Sequence, residues 1–580
     1  MGCDKCRNHH RCKCDKRKNC ENKKKCYETY DYVIVGCGTG GSILASKLSD
    51  PNKYGCFKNS VCVLEFGENF TQDPLVLDNN LYAALALNNP VYDRYTQATS
   101  FNGTHFSQQE GVMWGGSSGH NGLQLYRATT GIYNEWAVKS GDNRWTYNNL
   151  LNNVIKPMET YTPDATIANP AQHGFNGNLF VTQSPPVDAD PASIALALAS
   201  GAGLVTDLND PTALTNGQVG VGADQVSRTP APDSVRSFGG NSFLTGIPEQ
   251  GVPGIVDENG KGKDGRKLII KSNTHANRIL ISTKCGRKRA KGVVYTEGDD
   301  KIKTKIVKAR KGVISCCGAI YTPALLQLSG IGDADLLNSL DIPVMSDNKN
   351  VGEHLANHVG GLAFIENLPS FVFPPNIGNS FTGLPNSPDT RDLQILYGNG
   401  SVIQFFFPQS VSTFVNFENQ ELSSGYLILN VTPKSEGTIK IVNSDPFRQP
   451  EVNYNNYSDG DASDPGSDAN KIVESYKLMQ DVAAAKGGTV TYPTSGMYAA
   501  GDDALLNAAE ITSIYAAHQS GSCRMGLSKA DGVVDGKLKV FEIEGLYVGD
   551  NSAAPVISDC NPALQAYIIG AELARILRNE

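Results

Sequence analysis

Gly36, Gly38 and Gly41 close an apolar run, Tyr32-Val-Ile-Val35, in the spacing G-x-G-x-x-G. That spacing suits a pyrophosphate. The first glycine permits a tight turn, the second lets the backbone approach the phosphates, and the third lets helix and strand pack closely. Thr39 and Gly40 complete the turn. The following segment carries Ile43, Leu44 and Leu48 at helical spacing. Its N-terminus would turn unpaired N–H groups and a partial positive charge towards the phosphates. A second apolar run, Val61 to Leu64, leads to Glu65, an acid that can bind a ribose 2′-OH. Strand, turn, helix and acid together predict a dinucleotide site. An N-terminal βαβ unit with this acid holds FAD more often than NAD.

Composition sets outer limits. At 580 residues the chain is long enough for more than one domain, and 40% hydrophobic residues can build a large core. No run is long and apolar enough to span a bilayer. The charged N-terminus lacks the apolar stretch of a secretory signal. Eight cysteines follow residue 26, most in apolar settings. They read as buried free thiols, not as a disulfide framework.

The charge is unevenly distributed. Residues 1–26 carry ten Lys/Arg against three Asp/Glu, a net of +7, while the whole chain is −8. The same segment holds Cys3, Cys6, Cys12, Cys14, Cys20 and Cys26 with His9 and His10, and almost nothing apolar. It is read as a tail without a hydrophobic core. Three uses fit its composition, besides plain solvation. Cys3, Cys6, Cys12 and Cys14 with the histidines could ligate Zn²⁺, although the spacing matches no standard finger. The cysteines could cross-link chains, or Met1-Gly2-Cys3 could be acylated beside a polybasic run. The cations suit a polyanion such as nucleic acid.

The body alternates recognisable elements. Arg94 to Gly122 is polar and glycine-rich. Asn143 to Tyr161 has helical periodicity, and Pro163 to Pro191 is loop-like with short strands. Lys267 to Ile281 and Gly292 to Val313 alternate as strands, and Ala319 to Leu328 is an apolar helix. A Pro/Asn/Ser-rich insertion covers Asn376 to Asp392. Gln394 to Gln409 and Gly425 to Val442 alternate as strands of an antiparallel sheet. Asp459 to Asp468 is a polar loop, and Leu564 to Arg578 an apolar-faced helix.

With the Gly36-x-Gly38-x-x-Gly41 turn, the run Gly318 to Gly332, His518 to Gly526 and Val548 to Pro555 in that order, the chain from about Tyr30 onward resembles the glucose-methanol-choline (GMC) flavin oxidoreductases. Gly318-Ala-Ile-Tyr-Thr-Pro-Ala-Leu-Leu-Gln-Leu-Ser-Gly-Ile-Gly332 fits the second family signature at every restricted position. Trp114-Gly-Gly-Ser-Ser-Gly-His-Asn-Gly122 resembles the first, with Val112 replacing a basic residue and His120 an aliphatic one. Asn350-Val-Gly352 with His358 is similar to N-V-G-x-x-L-x-D-H, except that Asn357 replaces Asp. Thr432-Pro-Lys-Ser-Glu-Gly437 is similar to P-x-S-R-G, with Glu436 for Arg. His518-Gln-Ser-Gly-Ser-Cys-Arg-Met-Gly526 resembles H-P-x-G-T-x-R-M-G, with Gln519 for Pro. Val548-Gly-Asp-Asn-Ser-Ala-Ala-Pro555 resembles the FAD-binding V-x-D-x-S.

The resemblance implies an α/β fold: an FAD-binding Rossmann-like domain, a substrate domain on an antiparallel sheet, and the Cys-rich tail. Residues 27–160, 221–350 and 516–580 fall to the FAD domain, and 161–220 and 351–515 to the substrate domain. It implies oxidation of a primary alcohol, with O2 the acceptor. His518 would be the base, and Asn561 in Asp559-Cys-Asn-Pro562 would bind the alcohol oxygen. Gly115, Gly116, Ser117, His120, Asn121, Gly122, Asp550, Pro562 and Ala563 would join Gly36, Gly38, Thr39, Gly40, Gly41 and Glu65 at FAD. Members similar to choline oxidase bond a histidine at the place of His120 to the flavin 8α-methyl; simple drift in a solvated loop is the other account. The strand Phe405-Phe-Phe407 suggests an aromatic substrate, and Ala517 disfavours choline. A GMC body with a short basic tail and no secretion signal resembles giant-virus members, which would place the chain in host cytoplasm or virion. A homo-oligomer is expected. The alternative function is a packaging protein that reuses the fold and binds nucleic acid or other chains.

Overall fold

The computed structural model describes residues 27–51, 59–78, 81, 91–99, 105–163, 169–184, 204–205, 207, 209–210, 219–221, 223–225, 235–366, 378–382, 391–399, 423–512 and 514–579. The basic tail, most of the Asn376–Asp392 insertion and Phe405 to Phe407 lie outside them. The elements that position the site begin with β1 (Glu28–Val35), α1 (Thr39–Leu48), β2 (Val61–Leu64), β3 (Asp93–Thr99) and β4 (His105–Gly111). They continue with β5 (Leu268–Lys271), β6 (Thr274–Lys284), β7 (Arg287–Glu297), β8 (Lys305–Ser315) and α2 (Gly318–Leu328). Next come β9 (Val359–Glu366), β10 (Leu393–Asn399), β11 (Ser423–Asn430), α3 (Asp468–Lys486), β12 (Leu546–Val548) and α4 (Ala563–Asn579).

The first sheet runs β5-β2-β1-β8-β7-β6, with β12 also paired to β8. Strands β5, β2, β1, β8 and β12 are mutually parallel, with Ile34 beside Val63 on one side and Ile314 on the other. Parallel strands are covered on both faces, so they need unbroken apolar runs. Val33, Ile34, Val61, Cys62, Val63, Val313 and Ile314 are fully buried. The meander β6-β7-β8 is antiparallel. Helix α1 lies against α4, bringing the two ends of the described chain together. The approach needs glycine. A Cβ on Gly40 would sit 2.3 Å from the Gly549 carbonyl oxygen, and one on Gly570 2.3 Å from the Gly40 oxygen.

The second sheet is mainly antiparallel. β9 pairs with β11 (Leu362 opposite Leu427), β11 with β10 (Ile428 opposite Ile395), and Thr489–Tyr492 adds to the other edge of β9. Helix α3 covers it with Ile472, Val473, Tyr476, Met479 and Val482, all buried. The Ser467 Oγ caps α3 by accepting from the Asn470 N–H at 3.0 Å, and Gly487 ends it at φ 70°. The polar segment from Arg94 is a hairpin: β3 pairs with β4, and Arg94 stands opposite Glu110. Among the described residues no helix is long and apolar enough to cross a membrane. Seven described cysteines are free, and of these Cys285 is exposed, at the tip of the β6–β7 hairpin rather than in the core.

A charged cluster is buried at the start of the strand Glu159–Thr162, which pairs with Leu179–Ser184 in a small separate sheet. Arg127 donates to both Glu159 carboxylate oxygens (3.0 and 2.9 Å), and His173 Nε2 stands 3.1 Å from Asp207 Oδ2. Burial alone would raise the Glu159 carboxyl, but Arg127, His173 and the Gly174 N–H together outweigh it and hold the group below its ordinary value. Breaking such a pair leaves an uncompensated charge, which costs about 3–5 kcal/mol. Glu159→Leu should lower stability by that order in chemical denaturation. A loss below about 1 kcal/mol would show that the cluster carries little.

Candidate active site

The glycine turn is tighter than its motif alone suggests. Gly36 is at φ 94°, and a Cβ there would lie 2.3 Å from the Cys316 carbonyl oxygen. A Cβ on Gly41 would lie 2.2 Å from the Gly36 oxygen, and one on Gly116, at φ 54°, 2.7 Å from the Gly38 Cα. The Gly38 position is open, with nothing nearer than 3.9 Å. Glu65 is fixed by backbone amides: Cys37 N donates to Oε2 at 2.6 Å and Gly67 N to Oε1 at 2.8 Å. Burial nonetheless raises its carboxyl. Asp550 accepts from Gly318 N (3.0 Å) and Thr322 Oγ1 (2.6 Å), so it joins the start of α2 to the C-terminal motif.

These groups wall one cleft of about 230 Å³ that is open to solvent at its mouth. Gly36, Gly38, Thr39, Gly40, Glu65, Gly116, Ser117 and Asp550 line it. Gly41, Gly115, His120, Asn121, Gly122, Pro562 and Ala563 do not. Some of these support the wall. The Asn121 side-chain oxygen accepts from Arg236 at 2.8 Å, and the Pro562 carbonyl accepts from Asn551 Nδ2 at 3.3 Å. His120 is buried, its Nδ1 2.6 Å from Asp93 Oδ1.

Three buried atoms on the cleft wall, Glu110 Oε2, Gln519 Nε2 and Asn551 Oδ1, have no hydrogen-bond partner among the described residues. An unmet buried polar atom costs about 1–3 kcal/mol. Three in one cleft that also presents a phosphate-type turn and a ribose-type acid fit a large polar cofactor such as FAD. The sequence reading gave no role to Glu110 or Asn551.

Beyond one end of the cleft, where Ala517 and Gln519 line it, two imidazoles meet. His358, just before β9, places Nε2 2.9 Å from the Ser558 carbonyl oxygen and Nδ1 2.8 Å from His518 Nδ1. Burial pushes His358 down to about 3; burial, then His358, pushes His518 well below its ordinary value. Both rings are therefore neutral, with one N–H each. A carbonyl can only accept, so His358 carries its proton on Nε2. His518 must then donate from Nδ1, which leaves a lone pair on His518 Nε2. Asn561 Nδ2 stands 3.3 Å from that nitrogen, and Asn561 Oδ1 accepts from Gln394 Nε2 at 2.8 Å, which fixes the amide's orientation. The backbone N–H of His518 donates to Asn357 Oδ1 at 2.8 Å. The site thus offers a neutral base beside an amide donor.

His358 was visible in its motif but its role was not, because that depends on the Ser558 carbonyl 200 residues away. Gln394 had no local signal. The departures from the family motifs are in use. Asn357 holds the base, and Glu436 accepts from Arg524 NH1 at 3.0 Å and contacts His354 Nδ1 at 2.5 Å.

Fold, cleft and imidazole pair define a dinucleotide-dependent oxidoreductase. Family models described as GMC oxidoreductase match residues 261–360 and 433–570. The chain is 29% identical to GMC oxidoreductase family protein Mala s 12 of Malassezia sympodialis, over 94% of this chain and 92% of that one. It is 27% identical to the oxygen-dependent choline dehydrogenase of Escherichia coli O157:H7, over 95% of each. A solved formate oxidase structure superposes with a TM-score of 0.77 at 21% identity, covering 95% of this chain and 98% of that one. The chain belongs to the GMC oxidoreductases, FAD-dependent enzymes.

Two glycines with positive φ separate strain from contact. Gly36→Ala meets the Cys316 oxygen, whereas Gly286→Ala, at φ 75°, meets nothing within 4 Å. Gly36→Ala should elute from gel filtration without flavin, and Gly286→Ala should keep it. Equal retention by the two would show that the turn tolerates a side chain.

Proposed function

We propose that the protein oxidises a primary alcohol to an aldehyde and passes the electrons to O2. The observation that carries this is the chain Ser558 carbonyl–His358–His518–Asn561, which presents a lone pair and an amide donor together. Bound FAD would supply the hydride acceptor. Asn561 Nδ2 holds the alcohol oxygen, and His518 Nε2 takes the hydroxyl proton. The resulting imidazolium keeps its Nδ1–H on the His358 lone pair. Gly36, Gly38, Thr39, Gly40, Glu65, Gly116, Ser117 and Asp550 would hold the cofactor. The oxygen-dependent choline dehydrogenase supports O2 as acceptor. A hydrophobic, aromatic alcohol is favoured over choline, because Ala517 offers no ring for a quaternary ammonium. The alternative packaging role is suggested by residues 1–26, outside the described residues, and by Val112, Asn357, Glu436 and Gln519, where the family motifs are not kept.

His518→Ala should slow anaerobic flavin reduction by roughly 10²–10⁴-fold, the usual worth of a positioned base. Asn561→Ala should cost less, since the amide donates but takes no proton. Wild-type reduction in His518→Ala would reassign the base. The pH profile has a definite sign. His518 works only when neutral, and burial, then His358, hold it below its ordinary value near 6.5. The reduction rate should therefore be flat from pH 6.5 to 9 and fall only on the acid side. A rise through pH 7 would show an unshifted imidazole.

Covalent attachment at His120 also belongs to this reading. With Nδ1 facing Asp93, Nε2 is the nitrogen left for the flavin 8α-carbon. Acid precipitation should leave the yellow colour in the pellet, and His120→Ala should release it. Free FAD in the wild-type supernatant would refute the bond.

A further inference from the structure

Glu110 lies where the cofactor's most negative part belongs. Its strand ends at Gly111, whose Cβ, if present, would be 2.7 Å from the Gly116 carbonyl carbon, and Gly111 N donates to Ser117 Oγ at 3.0 Å. Gly116 in turn packs on Gly38 and Thr39, at the N-terminus of α1. On the opposite wall, a Cβ on Gly318 would be 3.5 Å from Glu110 Oε1. The carboxyl therefore stands between the glycine turn and the start of α2, the two elements that would flank a pyrophosphate. Its Oε2 is buried and has no partner among the described residues.

Other charged and titratable groups face it. Arg94 is its cross-strand neighbour, but the guanidinium lies between the Phe66 and Tyr321 rings, 4.1 Å from each centroid. Glu65, His275, Cys317, Tyr321, Arg448 and Asp550 line the same cleft. Burial, opposed by Arg94 and reinforced by Asp550, pushes the carboxyl up to about 7. A carboxylate there would repel a pyrophosphate, whereas a neutral acid can donate a hydrogen bond to it.

We infer that Glu110 binds FAD as a neutral acid, donating from its carboxyl to the pyrophosphate, so that cofactor capture takes up one proton. The inference rests on the flavoenzyme reading and deepens it. The complex raises the group further, because the added neighbour is anionic. FAD affinity should then be highest below pH 7 and fall about tenfold per pH unit above it. FAD itself does not change charge between pH 6 and 9.

The test is a titration of the full chain, freed of flavin, with FAD from pH 6 to 9, followed by fluorescence quenching. If the flavin resists removal, the His120→Ala chain is used. The unmodified chain should lose about 100-fold in affinity between pH 7 and 9, and Glu110→Gln should bind tightly throughout. Calorimetry of the unmodified chain at pH 8 in two buffers of different ionisation heat should show one proton taken up per FAD, whatever the variant's folding yield. FAD binding without proton uptake, or a Glu110→Gln chain weakened at every pH, would overturn the inference and leave the flavin reading intact. No FAD binding at any pH would overturn both.

Discussion

The site depends on backbone packed against backbone. At Gly36, Gly40, Gly41, Gly116 and Gly570 a methyl group would fall within 2.2–2.7 Å of another main-chain atom. Hydrophobic burial supplies the bulk of the driving force, but it is non-directional. These contacts set the geometry. They seat the α1 N-terminus beside the Gly115–Ser117 turn, hold α4 across α1, and let Asp550 reach the start of α2. Segments far apart in sequence thereby share one cleft wall.

The proton-handling groups are positioned by a different logic. His358 and His518 are both held neutral chiefly by burial, and a carbonyl decides which nitrogen bears the proton. A desolvated imidazole is a poor cation but a ready acceptor. The arrangement suits a base that must be deprotonated before substrate arrives. It also explains why Asn357 can stand where the family has Asp, since the neutral amide oxygen suffices to hold the His518 N–H.

The dinucleotide end was legible because its constraints are local: G-x-G-x-x-G, an apolar strand and an acid occur within 30 residues. Strands β6 to β8 and helices α2 and α4 declared themselves through period 2 and period 3.6. Helix α3 did not, because its polar face dilutes the pattern and its role is to cover a sheet formed from three distant segments. The β3–β4 hairpin read only as a polar, glycine-rich stretch, since Arg94, Tyr95, Gln97, Gln108, Gln109 and Glu110 are polar. The motifs do not distinguish the residues that line the cleft from those, such as Gly41, Gly115 and Asn121, that do not. Gln394 and the Ser558 carbonyl were invisible, because they act across sequence separations of 167 and 200.

Gln394 has an evolutionary consequence. It sits on β10 of the second sheet, yet it grips Asn561 in the C-terminal segment, while His358, just before β9 of the same sheet, grips His518. The sheet that would shape the substrate space is thus fastened to the groups that would move the proton. Diversification through β9 and β10 would disturb the reacting groups as it changed the pocket. By contrast, none of the side chains at 516, 517 and 519 holds the base by a hydrogen bond among the described residues. New substrate preferences are therefore more accessible to such a lineage through those three residues than through the sheet.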